Sequence, residues 1–400
     1  MKVIVIGGGA AGFFGAIAAA ENGHEVTILE AAASVLAKVR ISGGGRCNLT
    51  HSCFEPRELV NSYPRGGKAL RGPFSRFQPT DTINWFESRG VQTKTEPDGR
   101  MFPTTDDSAT IVDCLQGAAK DAGVVVRLRA NVSSIQKTGS NFQITLQSGE
   151  TLQADRILMA TGGSRAGFEL SHSLGHQIVP PVPSLFTFKV DDPRIQDLPG
   201  VAVEHVDCQL VTDAKTFQQS GPILVTHWGL SGPAVLKLSA WAARELHDSN
   251  YNATLRVNWL AGSRAEEIRA QLNSFKAVHP KKTVDVACPW QLPKRLWKSL
   301  VDHSVGSQPV RWAELSKKGA QALVTELSAG EFQVAGKGVF KEEFVTCGGV
   351  NLKEVDFRTM ESRICPGLYF AGEVLDIDGI TGGFNFQNAW TTAWIAGNAM

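Results

Sequence analysis

The chain lacks any run of about 18 consecutive apolar residues, which excludes a helix able to cross a bilayer by itself. It also lacks net charge. Forty Lys/Arg face 39 Asp/Glu, so the whole molecule carries no electrostatic footprint for DNA or an anionic membrane. Seven cysteines, at 47, 53, 114, 208, 288, 347 and 365, form no C-x-x-C pair and no Cys/His ligand cluster. That argues against a disulfide framework or a metal centre. No apolar signal-type stretch follows Met1-Lys2, so a cytoplasmic protein is expected. What remains is a 400-residue chain with 42% hydrophobic residues, enough to build more than one core.

The first segment carries the clearest chemistry. Lys2-Val3-Ile4-Val5-Ile6 suits a buried parallel strand, and Gly7-Gly8-Gly9-Ala10-Ala11-Gly12 follows at once. An alanine-rich helix is expected over Phe13 to Glu21, closed by Asn22-Gly23, and a second strand over Glu25 to Leu29 ends at Glu30. In the resulting G-x-G-x-x-G pattern, Gly7 permits the tight turn and Gly9 lets the backbone approach a pyrophosphate. Gly12 lets helix and sheet pack closely. Ala10 and Ala11, within the glycine turn, are expected beside the cofactor, and the helix N-terminus would face the phosphates with unpaired N–H groups. Glu30 is placed to bind an adenosine ribose and to disfavour a 2′-phosphate, which predicts FAD or NAD here and not NADP.

Later segments favour FAD. Thr151 to Gly163, with Ala160-Thr161-Gly162, resembles the return strand of the two-dinucleotide-binding-domain flavoproteins. That resemblance implies contacts from Thr161 and Gly162, a main-chain hold on adenine at Val132, and a closing strand at Gly367 to Glu373. Gly372 and Glu373 would then meet the ribityl or pyrophosphate region. Gly382-Gly383-Phe384-Asn385 reads as a glycine turn opening a last helix that runs toward Ala399, its N–H groups aimed at the flavin.

Three longer stretches narrow the family. Arg40-Ile41-Ser42-Gly43-Gly44-Gly45-Arg46-Cys47-Asn48-Leu49-Thr50-His51, Thr226-His227-Trp228-Gly229-Leu230-Ser231-Gly232-Pro233 and Val345-Thr346-Cys347-Gly348-Gly349-Val350 occur in order. With the two ends, the chain resembles over its whole length the YhiN/BaiN-like flavoproteins, also labelled aminoacetone-oxidase-type FAD-binding enzymes. The resemblance implies an FAD-dependent oxidoreductase, and places Arg46, Cys47 and Asn48 near the cofactor. One branch of that family reduces conjugated double bonds of bile-acid-type oxo-steroids.

The expected fold is α/β: a Rossmann-type FAD-binding domain from residues 1–184 and 341–400, with a β-rich substrate domain, 185–262 and 329–340, inserted. A helical subdomain over 263–328 is inserted in turn, and the flavin ring is expected at the junction. Between Ser263 and Ala320 eleven Lys/Arg face five Asp/Glu, with Trp290, Trp297 and Trp312 interleaved. Basic residues with aromatics suit single-stranded nucleic acid, so an RNA partner is the rival to a small-molecule substrate. The plainer reading puts the tryptophans in a small core and the lysines on its solvated face.

For proton transfer, Asp376, Asp378 and His227 are the candidates, each open to a structural explanation as turn carboxylates or a packing histidine. Cys47 and Cys53 stand at C-x5-C spacing, which speaks against a redox dithiol. No second G-x-G-x-x-G appears, so no dedicated Rossmann site for NAD(P)H is expected; NAD(P)H remains a candidate transient donor. A flavin-binding protein without turnover is the third reading.

Overall fold

The run Lys2–Ile6 forms the first strand (β1), buried from its second residue onward, as a parallel strand covered on both faces must be. The chain leaves it through Gly7 and enters helix α1 (Ala10–Glu21). The helix begins at Ala10, ahead of the expected Phe13, because two alanines, strong helix formers, follow the glycines directly. Gly23, at φ +83°, closes it. These elements belong to a computed structural model that describes residues 1–338 and 345–400. The expected domain boundary at 340/341 and the first residues of a strand expected at 343–346 lie outside the described residues.

The chain divides into two compact units, Met1–Val182 with Val345–Met400, and Pro183–Phe344. In the first, a seven-stranded sheet collects β1, β2 (Glu25–Leu29), β3 (Val125–Arg127), β4 (Arg156–Met159), β5 (Val355–Asp356), β6 (Glu361–Ser362) and β7 (Leu368–Phe370). The spatial order is β5-β6-β7-β4-β1-β2-β3. From β7 to β3 all neighbours are parallel, while β5–β6 and β6–β7 pair antiparallel. The order reverses beside β1, with β2 on one flank and β4 on the other. A dinucleotide binds at the carboxyl end of the strands at such a switch point, which here is the exit of β1 into Gly7.

The last helix, α2 (Phe384–Ala399), packs against α1 through small residues. A Cβ on Gly397 would lie 2.6 Å from the carbonyl oxygen of Gly15. Pro180 and Pro181 lie in a strand, Ile178–Ser184, paired with Val345–Val350. Prolines are tolerated there because a two-stranded ribbon has only edge strands.

One buried polar chain ties this unit together. His176, 1% exposed, meets Glu354 through Nδ1 at 3.0 Å and Ser362 Oγ through Nε2 at 2.8 Å. The arrangement has the outline of a hydrolytic triad. However, Ser362 Oγ already accepts the backbone N–H groups of Ile364 and Cys365, which identifies it as a turn anchor. Burial lowers the His176 pKa, and the Glu354 carboxylate offsets this only in part. A histidine held below its unfolded value of 6.5 favours folding above that pH, and the favour is lost as pH falls below it. Thermal melts of wild type and His176→Gln between pH 8 and pH 5 should therefore diverge in their acid limbs, the variant's being the flatter. Parallel limbs would refute the assignment.

The second unit is built on a six-stranded antiparallel sheet. Its order is Phe188–Lys189, Gly229–Ser231, Thr216–Thr226, Ala202–Val211, Asn252–Asn258 and Gly330–Ala335. The helices Ala265–Val278, Lys294–Ser304 and Lys317–Ala329 share one hydrophobic core with this sheet: Trp297 and Trp312 from the helical segment pack in the same cluster as Trp259 and Phe332. The helix expected over Ala234 to Leu246 breaks at Ala242 into Pro233–Trp241 and Ala243–Asp248. The helix Ala265–Val278 has Arg264 as N-cap, whose N–H donates to the Glu267 side chain at 2.7 Å while its own side chain, a donor only, leaves the reciprocal bond of a capping box unmade.

Candidate functional site

At the exit of β1 the glycines divide by what surrounds them. Gly7 takes φ +109°, and a Cβ there would lie 2.4 Å from the Ala160 carbonyl oxygen; one on Gly12 would lie 1.9 Å from that of Gly7. Both are fixed by protein contacts. Gly9 has nothing within 4 Å of where its Cβ would be, so the backbone there is open on one side. It is also the N-cap of α1, whose first turn carries no side-chain cap and no acidic residue. An uncapped helix N-terminus behind an open glycine is suited to a pyrophosphate. Ala10 and Ala11 supply that first turn.

Glu30 follows β2. Its carboxylate accepts the N–H of Gly8 through Oε2 and of Ala32 through Oε1, both at 2.7 Å. These bonds orient the acid beside the glycine turn and leave further lone pairs for ribose hydroxyls. The Ala130 N–H donates to the Glu30 carbonyl at 2.9 Å, which carries Val132, the first residue of the strand Val132–Thr138, past the same acid. The expected Gly7, Gly9, Glu30 and Val132 are therefore gathered around one strand end.

Beyond β4 the chain passes Ala160, against which Gly7 packs, to Thr161 and Gly162, the latter at φ +58°. Thr161 Oγ1 is buried without a hydrogen-bond partner among the described residues. Glu373 comes back to this point: its Oε2 lies 3.6 Å from the position of a Cβ on Gly162. Glu373 also accepts the Thr346 N–H at 2.7 Å and pairs with Lys38 at 2.9 Å. Gly372, at φ +76°, donates its N–H to Thr392 of α2 at 2.9 Å.

The N-terminus of α2 is the second gathering point. Gly383 is its N-cap at φ +92°, and the Asn48 side-chain oxygen accepts the Gly383 N–H at 2.9 Å. A Cβ on Gly383 would fall 2.5 Å from the Thr50 carbonyl oxygen, so only glycine lets the loop through Asn48 lie against this turn. Gly382 takes φ +130°. Asn385 clamps the approach by bonding both the N–H and the carbonyl of Gly379, at 2.8 and 2.9 Å. Phe384 stacks on His51 with ring centroids 4.7 Å apart, and its carbonyl accepts Tyr63 OH at 2.6 Å.

Other expected residues are engaged elsewhere. Arg46 pairs with Glu96 at 2.6 Å and Asp106 at 3.5 Å and lies over the Phe102 ring, a surface ion network that occupies its guanidinium. Cys47 is fully buried at φ +60°, and burial pushes its thiol up to about 12. Cys53 is also a free thiol and also raised by burial, so neither has the thiolate character that disulfide exchange requires. Asp378 is fully buried and makes a two-pronged ion pair with Arg65. Burial works against the Arg65 charge, and the Asp378 carboxylate more than restores it. Asp376 is half-buried, its N–H donated to Val350 at 3.1 Å. His227 is exposed at the tip of the hairpin between Thr226 and Gly229 in the second unit.

Sequence reasoning missed Lys38, His51, Tyr63 and Arg65. Only Arg65 carried a local signal, as the cation opening the glycine turn Arg65-Gly66-Gly67. No group of three or more His, Cys, Asp or Glu able to hold a metal occurs among the described residues, and no described helix is long and apolar enough to cross a membrane.

The chain is 33% identical to the ribosomal RNA dihydrouridine synthase of Escherichia coli (strain K12), covering 98% of this chain and 96% of that protein. It is 29% identical to the 3-dehydro-bile acid delta(4,6)-reductase of Clostridium scindens, covering 100% and 98%. Among solved structures it aligns with the 3-ketosteroid-delta4-(5alpha)-dehydrogenase of Rhodococcus jostii RHA1 at a TM-score of 0.53 and 15% identity, covering 100% of this chain and 96% of that one, a likeness of fold. The profile of the HI0933-like protein Rossmann domain matches residues 1–399, so the chain belongs to that family and is an FAD-binding, oxidoreductase-type flavoprotein.

Proposed function

We propose that this protein is a reductase that saturates a carbon–carbon double bond conjugated to a carbonyl, and that its substrate is a uracil base of ribosomal RNA. One observation carries the reading. The two whole-length relatives carry different substrates in their names but share a bond-level change: dihydrouridine is a uracil ring with its ring C=C reduced, and the bile acid enzyme is named for reduction next to an oxidised carbon. The higher identity, 33% against 29%, favours RNA.

The residues present fit FAD. Gly9 offers an open backbone face in front of an uncapped helix, and Glu30 is held by Gly8 and Ala32 where a ribose would lie. Gly7, Ala10, Ala11 and Gly12 would complete the phosphate turn, with Val132 by the adenine. Thr161, Gly162, Gly372 and Glu373 would line the middle of the cofactor, and Gly382, Gly383, Phe384 and Asn385 its flavin end. When bound, FAD supplies hydride chemistry: electrons arrive from an NAD(P)H-class donor and leave to the substrate carbon β to the carbonyl, while the α carbon takes a proton.

The chain's own part is to orient that exchange and move the proton. The N-terminus of α2, its turn fixed by Asn48, Asn385 and Tyr63, offers a positive dipole end to developing negative charge. Asp378 is fully buried and Asp376 half-buried, so the one of the two neighbouring carboxylates that can exchange protons with solvent, Asp376, is assigned to proton delivery. Arg46, Cys47 and Asn48 act by shaping the loop that backs α2. His227 receives no role in this scheme.

The test is a half-reaction. Purified holoprotein is reduced anaerobically with NADPH or NADH, mixed with deproteinised bacterial ribosomal RNA, and the RNA is digested for nucleoside mass spectrometry. Reoxidation of the flavin with stoichiometric dihydrouridine is the expected result. If RNA leaves the flavin reduced while a 3-oxo-Δ4 steroid reoxidises it, the uracil assignment is wrong.

A further inference from the structure

Within the second unit, the chain around 276–285 is bound to the chain around 310–318. Val284 donates its N–H to Val310 at 2.9 Å, Trp312 to Lys282 at 2.9 Å, and Ala313 to Pro280 at 3.0 Å, with a β-bridge between Thr283 and Arg311. Lys276 reaches from the helix Ala265–Val278 to the Leu315 carbonyl at 2.9 Å, one residue before Ser316 caps the helix that begins Lys317-Lys318. These contacts bring Lys276, Lys281, Lys282, Arg311, Lys317 and Lys318 onto one small piece of tertiary structure. Its two segments hold those six cations against the two acids Asp285 and Glu314.

The cations face water. Lys281, Lys282, Arg311, Lys317 and Lys318 are all exposed. Lys298, on the helix nearby, is neutralised by Asp302 at 2.6 Å, but none of these five enters an ion pair among the described residues. The frame beneath is rigid: Trp312 is fully buried, donates its indole N–H to Ala287 at 3.2 Å and packs edge-on against Phe275 at 5.1 Å. Trp297 is likewise buried and donates to Val284 at 2.7 Å. Trp297 and Trp312 therefore hold the surface up and do not serve as base-stacking platforms, while Trp290 is half-buried and packs on Trp297 at 6.1 Å. In a chain whose net charge is only +1, concentrating unpaired lysines on a fixed scaffold costs self-repulsion that folding alone does not require.

We infer that the surface made by Lys281, Lys282, Arg311, Lys317 and Lys318 is a docking site for the phosphate backbone of RNA. The inference rests on the RNA reading given under the proposed function and deepens it. Contacts of this kind fix position and carry no sequence information. Base choice would therefore lie with the site that performs the reduction, and this surface would supply affinity through counterion release.

The experiment measures binding of the full-length holoprotein to deproteinised bacterial ribosomal RNA across a range of salt. It compares wild type with K281Q/K282Q/K317Q/K318Q and with a charge-matched control, K2Q/K120Q/K189Q/K353Q. At about 0.7 released counterions per phosphate, losing four contacts should make the log–log salt slope shallower by roughly 3. It should weaken binding by about tenfold or more near 0.1 M salt. The control should bind as wild type, and thermal melts and flavin spectra of all three should coincide. Equal slopes for the patch variant and the wild type, or a wild type that does not bind ribosomal RNA, would overturn the inference. Patch-dependent binding without dihydrouridine in the half-reaction would leave this surface standing and remove the uracil reading. Dihydrouridine formed with patch-independent binding would do the reverse.

Discussion

Gly9→Leu is expected to give a folded protein that purifies without flavin. The two halves of that expectation come from different observations. Folding survives because Gly9 sits at φ −89° and ψ −169°, extended backbone that any residue adopts, and a Cβ there meets nothing within 4 Å. Flavin is lost because the side chain grows into the space from which a pyrophosphate would reach the first N–H groups of α1. Each charge-assisted hydrogen bond forgone there is worth about 1.5–3 kcal/mol. Losing two should weaken retention by roughly 10²- to 10⁴-fold. Gly12→Ala is the contrasting variant: its Cβ would lie 1.9 Å from the Gly7 carbonyl, so turn and helix must part. Far-UV circular dichroism with the visible absorbance of each purified variant separates the cases. A yellow, stoichiometrically loaded Gly9→Leu would remove the pyrophosphate from this turn.

That contrast also marks what was legible in the sequence. Strand, glycine turn, helix, strand and acid are local, and local rules place them: β1, α1, β2 and Glu30 lie where the spacing puts them. The spacing also assigns Gly9 to the open approach and Gly7 and Gly12 to the turn and its packing; it does not reveal that Gly7 lies against Ala160, which approaches from a strand far along the chain. The same limit hid the partners of Glu373. Lys38 and Thr346 carry no mark of a shared carboxylate; long-range contacts, the Leu36 N–H on the Gly8 carbonyl and the parallel bridge of Val350 with Leu375, hold their segments in place. The partners of Arg46 were hidden for a related reason, since its acids, Glu96 and Asp106, stand in a hairpin region with no motif of its own. In the second unit the tryptophans were legible as either core or stacking surface, and tertiary burial decides it for Trp297 and Trp312. The short strand Gly229–Ser231 went unseen because a strand of that length has no period to read.

Asp378→Ala should be strongly destabilising although it leaves the glycine turn untouched. The carboxylate is fully buried, and the Arg65 side chain keeps 17% of its exposure. Nε meets Oδ1 at 2.6 Å, and Nη2 closes the second prong on Oδ2. Truncating one side of a buried pair costs about 3–5 kcal/mol, since the charge left behind keeps its desolvation penalty and loses its main compensation. In a unit of this size that is a fall in Tm of about 10 °C. Removing both charges differs: Arg65→Met with Asp378→Leu takes away the penalty with the attraction and should recover most of the loss. The pair of measurements also assigns the residue's role. If Asp378 works by fixing the loop between Glu373 and α2, the double variant regains flavin retention along with stability, and its pH–rate profile keeps the wild-type shape. If it carries the proton, the double variant melts like wild type yet reduces substrate no faster than the single variant. That second outcome would move the proton-delivery assignment from Asp376 to Asp378.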